Sequence, residues 1–512
     1  MFEEKKHPEL VFGLVGPIGV NMDDVESKLC ASLQTVGYEP ISIRATEIMQ
    51  QVDVGIEIKH SADPLTHYQT RIDYANAVRR KCNNDAAIAG LVMLHIRQLR
   101  YDINSQILSN KELESENASE IPLQKHAFVI RQFKRKEEID ALKKVYGSKF
   151  IQLSANARQE ERLKGLSRRM ASQNPNLDKD TCDKYAEQLI ERDLNEITVN
   201  WGQRIGDVFH LGDVFVDANT EVLIEKNIRR FVEAFFGRNS ISPSADEYGT
   251  YMAASASLRS IDTARQVGAS IFTTESEVVA LGCNEVPKAG GGTYWSDDID
   301  PHRDYDEGHD ANTTYKRRLL FDIIKRLRDN EFINSPSSDI DLFQEIIGNE
   351  NISDSLLMDI TEFGRMTHAE MNAITDAARL GRSLKGATLY CTTFPCHNCA
   401  KHIIASGIQR VVFIEPYPKS KASELHEDSI SFGRNRSTNK VSFEHFYGIS
   451  PRRYRDIFEK KRRRKGDGTL EEWYEKEAAP RIEDRSSFHT FNETSAIFSI
   501  LEKVAEDFNL TE

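Results

Sequence analysis

At 512 residues and 58.3 kDa the chain is too long for a single hydrophobic core, and a hydrophobic content of 39% suffices for two packed ones. Its formal net charge of −13 argues against a general nucleic-acid binder that works through a basic surface. Seven scattered cysteines make no disulfide framework, no apolar run approaches the length of a bilayer span, and the start Met1–Pro8 is charged at once; the expectation is a reducing, cytoplasmic setting and no membrane partner.

In chain order, Leu10 to Asn21 reads as a buried strand running into a glycine turn, followed by helical apolar spacing from Met22 to Val36. That is the local order of a phosphate-binding loop, in which Gly16 and Gly19 let backbone N–H groups approach an anion. The loop has no G-K-[ST], so the lysine that would reach the terminal phosphates is missing and phosphoryl transfer is not expected. Ala86 to Leu94 is a core-sized apolar stretch, and Asp102 to Ser119 is polar, a loop or an exposed helix. His126 to Arg135 reads as a second buried strand, Lys136 to Tyr146 as a helix and Phe150 to Ser154 as a third strand; alternation of this kind implies a parallel sheet. Lys134 to Leu166 resembles the region of nucleoside- and nucleotide-kinase-like proteins where a strand is followed by an arginine-bearing helix, although Arg131 stands near the place of their magnesium-holding acidic residue. Three readings stay open for this half: a kinase, a nucleotide-binding domain without transfer, and a purely structural α/β domain.

The polar run Asn239 to Ser244 marks the interdomain joint near Ala245. The expected domains are 1–240 (P-loop-like), 246–480 (the segment carrying the motif below, with an insertion at about 288–355) and a tail or helix at 481–512. The insertion is rich in glycine and charge at Lys288 to Asp310 and carries a helix from Tyr315 to Arg328; Trp295, His302 and Arg303 are candidates to close over a ligand, against the plainer reading of a solvated excursion.

His368-Ala369-Glu370 and Pro395-Cys396-His397-Asn398-Cys399 then supply three zinc donors and one carboxylate that is not a ligand. A structural zinc site is closed by four protein donors, whereas three leave a position for water, so His368, Cys396 and Cys399 point to a reaction centre. Pro395 suits the first turn of a helix that would set the two cysteines on one face, and Thr367 suits the cap of a helix beginning at His368. Two positive helix ends would then converge on the metal. The competing reading, a closed zinc knuckle, needs a fourth ligand; His397 lies between the cysteines and should point off their shared face.

This pattern resembles the zinc-dependent cytidine and deoxycytidylate deaminases, with H-x-E followed by P-C-x-x-C. The resemblance implies that Glu370 takes a proton from the attacking water, delivers it to ring N3 as C4 is attacked, and assists the departure of ammonia. Ser260 to Ile271 resembles the first helix and strand of deoxycytidylate deaminases, and Ala280 to Pro287 their G-Y-N-G-x-P loop, which gives Asn284 a substrate contact; Cys283 and Glu285 depart from that pattern. Together the two halves resemble the bacterial two-domain anti-phage deoxycytidylate deaminases of the AvcD type, including Glu415 to Ser420 and Gly448 to Tyr454. The resulting expectation is an α/β chain: an N-terminal P-loop-like three-layer domain plus a C-terminal cytidine-deaminase-like α/β/α domain with Zn2+, deaminating dCMP or dCTP and depleting dCTP during infection. Expected partners are a deoxycytidine nucleotide, ATP or another nucleotide at the N-terminal domain, a small regulatory RNA, and further copies of the chain in a homo-oligomer. The alternatives are a deaminase of RNA or single-stranded DNA, and a nucleotide- or RNA-sensing defence module. Lys419, Lys421, Arg452 and Arg453 are candidate phosphate contacts by charge alone, and Lys460 to Lys465 is a basic run at a helix end.

Overall fold

The computed structural model describes residues 6–58, 63–107, 117–195, 204–349, 352, 355–433, 439–471, 473, 478–482 and 488–508. The charged start at 1–5, the middle of the polar stretch 102–119 and parts of the 481–512 tail lie outside the described residues. The chain divides into two compact units, 1–247 with 447–512, and 248–446, each built on a six-stranded mixed sheet. Among the described residues no helix is long and apolar enough to cross a membrane.

In the first unit, β1 (Leu10–Val15), β2 (Glu39–Arg44), β3 (His126–Arg131), β4 (Phe150–Asn156) and β5 (Val214–Asp217) are parallel in the order β5-β4-β1-β3-β2. The two-residue period of a strand sorts β1 cleanly. Val11 and Val15 face a core with Leu91, Ile139 and Leu142, while Leu10, Phe12 and Leu14 face another with Val25, Leu29 and Ile228. Helices therefore cover both faces. The helices Met22–Thr35 and Lys136–Tyr146 fall within a residue of their predicted spans, and Ala87–Ile107 absorbs the apolar stretch at 86–94.

Residues 447–480 belong to this unit rather than to the zinc-bearing segment. Gly448 and Ile449 form β12, antiparallel to β5, and the Ile449 N–H donates to Glu247 Oε1 at 2.8 Å. Arg453 is buried, donating to Asp213 Oδ1 at 3.1 Å and to the carbonyl oxygens of Ser148 and Phe150, so its guanidinium is a structural clamp and not a phosphate contact. Farther on, the helix His489–Leu501 places Glu493 against Arg100, which also grips Glu9; all three side chains are fully buried. Burial pushes the Glu9 carboxyl up, but the charge and hydrogen bonds of Arg100 and a hydrogen bond from His489 outweigh it and hold Glu9 well below the carboxylate range. Glu9, His489 and Glu493 have metal-like spacing, yet the guanidinium already fills the cation's place.

In the second unit the order is β10-β11-β9-β8-β6-β7, from β6 (Gly268–Phe272), β7 (Val278–Cys283), β8 (Thr388–Thr393), β9 (Arg410–Glu415), β10 (Ile430–Phe432) and β11 (Val441–His445). Ala269 pairs with Gly282, so both point to one face, and Gly268 points to the other. A Cβ on Gly268 would meet Ala253 O at 1.9 Å, and a Cβ on Gly282 would meet Ala369 O at 2.2 Å. The helix Ala245–Ser257 thus lies on one face and Ala369–Arg379 on the other. The first helix ends before Ser260, where sequence placed it: residues 260–267 are irregular, and the Ser260 hydroxyl donates to Asn284 O at 2.8 Å. The insertion holds a helix at Ala311–Asp329, longer at its start than the predicted one because Asp310 caps it, accepting from the N–H groups of Asn312 and Thr313. Gly282→Val is expected to destabilise this unit by about 1–3 kcal/mol through overpacking and to lower its zinc content, as read by thermal melting with metal analysis; an unchanged melt would show that the helix does not rest on this glycine.

Candidate metal centre

Each zinc donor sits where a helix begins. His368 is the N-cap of Ala369–Arg379, and Cys396 is the N-cap of His397–Ala405, its sulfur accepting the Cys399 N–H at 3.4 Å. The predicted cap Thr367 is displaced by one residue: its backbone bridges Glu285, extending the chain until His368. Pro395 likewise precedes the helix instead of opening it, and the Ser420 hydroxyl donates to its carbonyl at 2.8 Å. Gly407, at φ +82°, follows the helix end at Ala405 and Ser406. The Asn372 amide, one turn beyond His368, donates to Cys283 O at 2.9 Å and fixes the helix to β7. Neither Asn372 nor Ser420 carries a sequence signal beyond standing one turn from a ligand or inside a turn.

His368 Nδ1 lies 3.3 Å from Cys396 Sγ and 3.4 Å from Cys399 Sγ, and the three donor atoms fall within 4.8 Å of one another. Zinc–sulfur and zinc–nitrogen bonds of about 2.3 and 2.0 Å on a tetrahedron set neighbouring donors roughly 3.5 Å apart, so the triplet fits zinc. The electrostatics suit it as well. Hydrogen bonds from Cys399, and then the charge of His368, pull Cys396 down to about 4 despite its burial. The neighbouring Cys396 sulfur raises His368 to about 9, and Cys399, hydrogen-bonded to the Cys396 sulfur and buried, is pushed well up. One thiolate is therefore ready, while two further donors give up protons when a metal arrives.

Glu370 is buried on the first turn after His368, with Oε2 3.4 Å from Cys399 Sγ. Burial raises its pKa, and the Cys396 thiolate adds to the effect. A carboxylate whose proton affinity is raised in this way, beside a metal triplet, can take up a proton and return it during a reaction. His397 turns away from the triplet toward Glu362, 3.7 Å from its Oε1.

Asn284 lies close by, but its amide holds the loop together. Oδ1 accepts the Val267 N–H at 2.8 Å, and Nδ2 donates to Asp262 Oδ2 at 2.6 Å and to Arg265 O at 2.7 Å. The insertion residues are also engaged: Trp295 lies under the guanidinium of Arg259, 3.6 Å from the ring centre, while within the insertion His302 meets Glu307 at 2.7 Å and Arg303 meets Asp306 at 2.7 Å. Lys419 pairs with Asp359 at 2.6 Å and Lys421 with Glu424 at 2.9 Å. In the first unit, Gly16 and Gly19 do lie on the loop between β1 and the helix Met22–Thr35. Gly19 has φ +93°, and a Cβ there would come 2.8 Å from Arg162 O. Lys460 is folded back onto the carbonyl oxygens of Arg238, Asn239 and Ile241.

Residues 243–415 match the family model described as the cytidine and deoxycytidylate deaminase zinc-binding region. Deoxycytidylate deaminase of Enterobacteria phage T2 is 56% identical over 54 residues, 10% of this chain and 29% of the phage protein. The mouse deoxycytidylate deaminase is 28% identical over 168 residues, 33% of this chain and 63% of the mouse protein. The chain thus spans less than two thirds of these relatives. A solved dCMP deaminase from cyanophage S-TIM5, in complex with dCMP and dUMP, is 17% identical and superposes with a TM-score of 0.22 over 40% of this chain and 100% of its own. The C-terminal region of this chain therefore carries the zinc-binding domain of the cytidine and deoxycytidylate deaminase family.

Proposed function

We propose that the second unit hydrolytically deaminates a free deoxycytidine nucleotide, dCMP or dCTP, to its uracil counterpart with release of ammonia. The observation that carries this reading is the buried Glu370 carboxyl beside a three-donor zinc site. His368, Cys396 and Cys399 would hold zinc, which supplies Lewis acidity and lowers the pKa of water at neutral pH. Glu370 would receive a proton from water at a carboxylate oxygen and place it on ring N3 as the water oxygen bonds to C4; it would then take the remaining proton of the new C4 hydroxyl and pass it to the amino group, whose bond to C4 breaks as the C4 carbonyl forms. Water enters, ammonia leaves, and Glu370 ends in its starting state. The dry surroundings of Glu370 keep its proton affinity high, as a group that must both accept and donate requires.

A free nucleotide is favoured over a polynucleotide by the net charge of −13, which opposes a long phosphate backbone, while a single nucleotide needs only a local contact. Asn284 enters this reading through its loop, which it holds by three hydrogen bonds beside Asp262. The resemblance to two-domain anti-phage enzymes extends the reading to depletion of dCTP during infection, a nucleotide at Gly16 and Gly19, release from a small RNA and assembly into a homo-oligomer; that resemblance is their support. Incubating the purified chain with each cytosine nucleoside and nucleotide, with chromatographic detection of uracil products, tests the substrate. Turnover of single-stranded DNA or RNA but of no free nucleotide would overturn it.

Glu370→Gln is expected to keep zinc and the folded state and to lose about two to four powers of ten in turnover; unchanged turnover in a zinc-replete sample would remove Glu370 from the chemistry. Cys396→Ala and Cys399→Ala should each lose zinc on dialysis together with activity, because two protein donors hold the metal poorly. Zinc must displace the protons that His368 and Cys399 otherwise hold, so its affinity should fall as pH drops from 8 to 6 (roughly, over the range where such ligands compete with protons). Competition with a chelator measures this, and a flat profile would contradict the ligand set.

A further inference from the structure

β1 lies between β3 and β4, and the connections leaving β1 and β3 depart to opposite faces. The helix after β1 sends Val25 and Leu29 into one core, and the helix after β3 sends Ile139 and Leu142 into the other. Where successive connections part in this way, a crevice opens outside the carboxyl ends of the strands, the usual place for a ligand in an open α/β sheet. Here the crevice is bordered by the loop 16–21 and by residues 132–135. Gly16 O accepts from Gln132 Nε2 at 2.9 Å and from Lys134 Nζ at 3.1 Å. Lys134 is nine-tenths buried and comes from the end of β3, so a lysine does reach this loop although the loop's own sequence has none.

The crevice is filled from within the chain. Asp193, on the helix Lys179–Asn195, is fully buried, and its carboxylate does two things at once: Oδ2 accepts the Ile18 N–H at 2.6 Å across 175 residues of sequence, and Oδ1 pairs with Lys134 Nζ at 2.8 Å. A loop N–H and a lysine on one pair of oxygens is how a phosphate would be held. Beside it, Arg162 is 7% exposed, with Nη1 3.4 Å from Ile18 O and Nε without a hydrogen-bond partner among the described residues. One buried cation, Lys134, therefore pairs with the carboxylate, and a second, Arg162, sits against the same loop and feels the carboxylate's charge without bonding to it. The helix N-terminus is not the anion's donor, since Asp23 and Asp24 occupy its first turn, bonded to Arg131 and Asn21.

We propose that this crevice binds a polyphosphate group, as of a nucleoside di- or triphosphate, and that Asp193 is an internal plug which occupies the anion's seat and must withdraw for the ligand to enter. Lys134 and Arg162 would pair with the phosphate oxygens, and the Ile18 N–H would pass from carboxylate to ligand. The proposal deepens the nucleotide reading of Gly16 and Gly19 and is independent of the deaminase chemistry. A plug lowers apparent affinity by the fraction of chains in which it is withdrawn, so removing its charge reveals the site.

The test is calorimetric titration of inorganic tripolyphosphate into the full zinc-loaded chain, with thermal melts in parallel. Asp193→Asn keeps the size of the plug and removes its charge. It is expected to bind tripolyphosphate at least about tenfold more tightly than the unaltered chain, and Lys134→Met in the same background should abolish the gain. Equal, tight binding by both chains would leave a phosphate site standing and overturn the plug. Binding by neither, or a gain that survives Lys134→Met, would overturn the site and the nucleotide reading of the loop together. Should Asp193→Asn fail to fold alone, millimolar tripolyphosphate is expected to restore its folded signal by replacing the missing anion; failure to restore it overturns the proposal.

Discussion

The distance between one helix and one strand governs the zinc centre. Ala369 O lies so close to β7 that a Cβ at Gly282 would come within 2.2 Å of it, and the next helical residues to face the sheet are also small, Ala373 and Ala377. Only that approach sets His368, the residue just before the helix, at the height of the thiolates offered by the turn after β8. The donors then need little from their own side chains. His368 and Cys396 each cap a helix and Cys399 lies in the first turn of the second, and the unpaired N–H groups there favour negative sulfur, which the Cys399 N–H on Cys396 shows directly. Fixing the backbone fixes the metal geometry.

The first unit uses a comparable strand–loop–helix for a different electrostatic end. Its helix Met22–Thr35 opens with two aspartates, which compensate the positive helix end and engage Arg131 and Asn21, leaving the loop's own N–H at Ile18 as the anion donor. In one unit, helix ends create negative donors for a metal; in the other, a buried carboxylate is drawn onto a loop N–H and a lysine. Neither arrangement is a matter of overall charge, since the whole chain is strongly acidic.

What could be read in the sequence was local. Cys396 and Cys399 lie three residues apart and His368 just before the preceding long helix, so spacing alone reveals the triplet; Lys136–Tyr146 has a clear apolar period with acidic residues in its first turn and matches its expected span. The one-residue shifts at Thr367 and Pro395 arose because both residues suit a helix start, while the backbone bridge at Thr367–Glu285 and the sulfur cap of Cys396 decide where the start falls. Long-range pairs left no trace. Arg453 reads as a candidate phosphate contact by charge until Asp213 and the carbonyls of Ser148 and Phe150 are placed around it, and nothing local singles out Asp193, whose partner Ile18 lies 175 residues away. Asn284 is intermediate: its loop was legible, but not that its amide would be saturated by Asp262, Arg265 and Val267.

The discontinuity of the first unit bears on how the chain is made. Arg100 leaves the ribosome long before Glu493, which lies 393 residues later. At about 5–20 residues per second, translation leaves that guanidinium with Glu9 as its sole carboxylate for roughly 20–80 seconds. For part of that interval β5, once made, lacks its antiparallel neighbour at Gly448 and Ile449, and the apolar residues that later receive Ile497, Ile500 and Leu501 are uncovered. The second unit, whose strands all fall between residues 268 and 445, can finish folding while the first still waits for its final helix. Nascent chains stalled within this window are the ones that would need a chaperone.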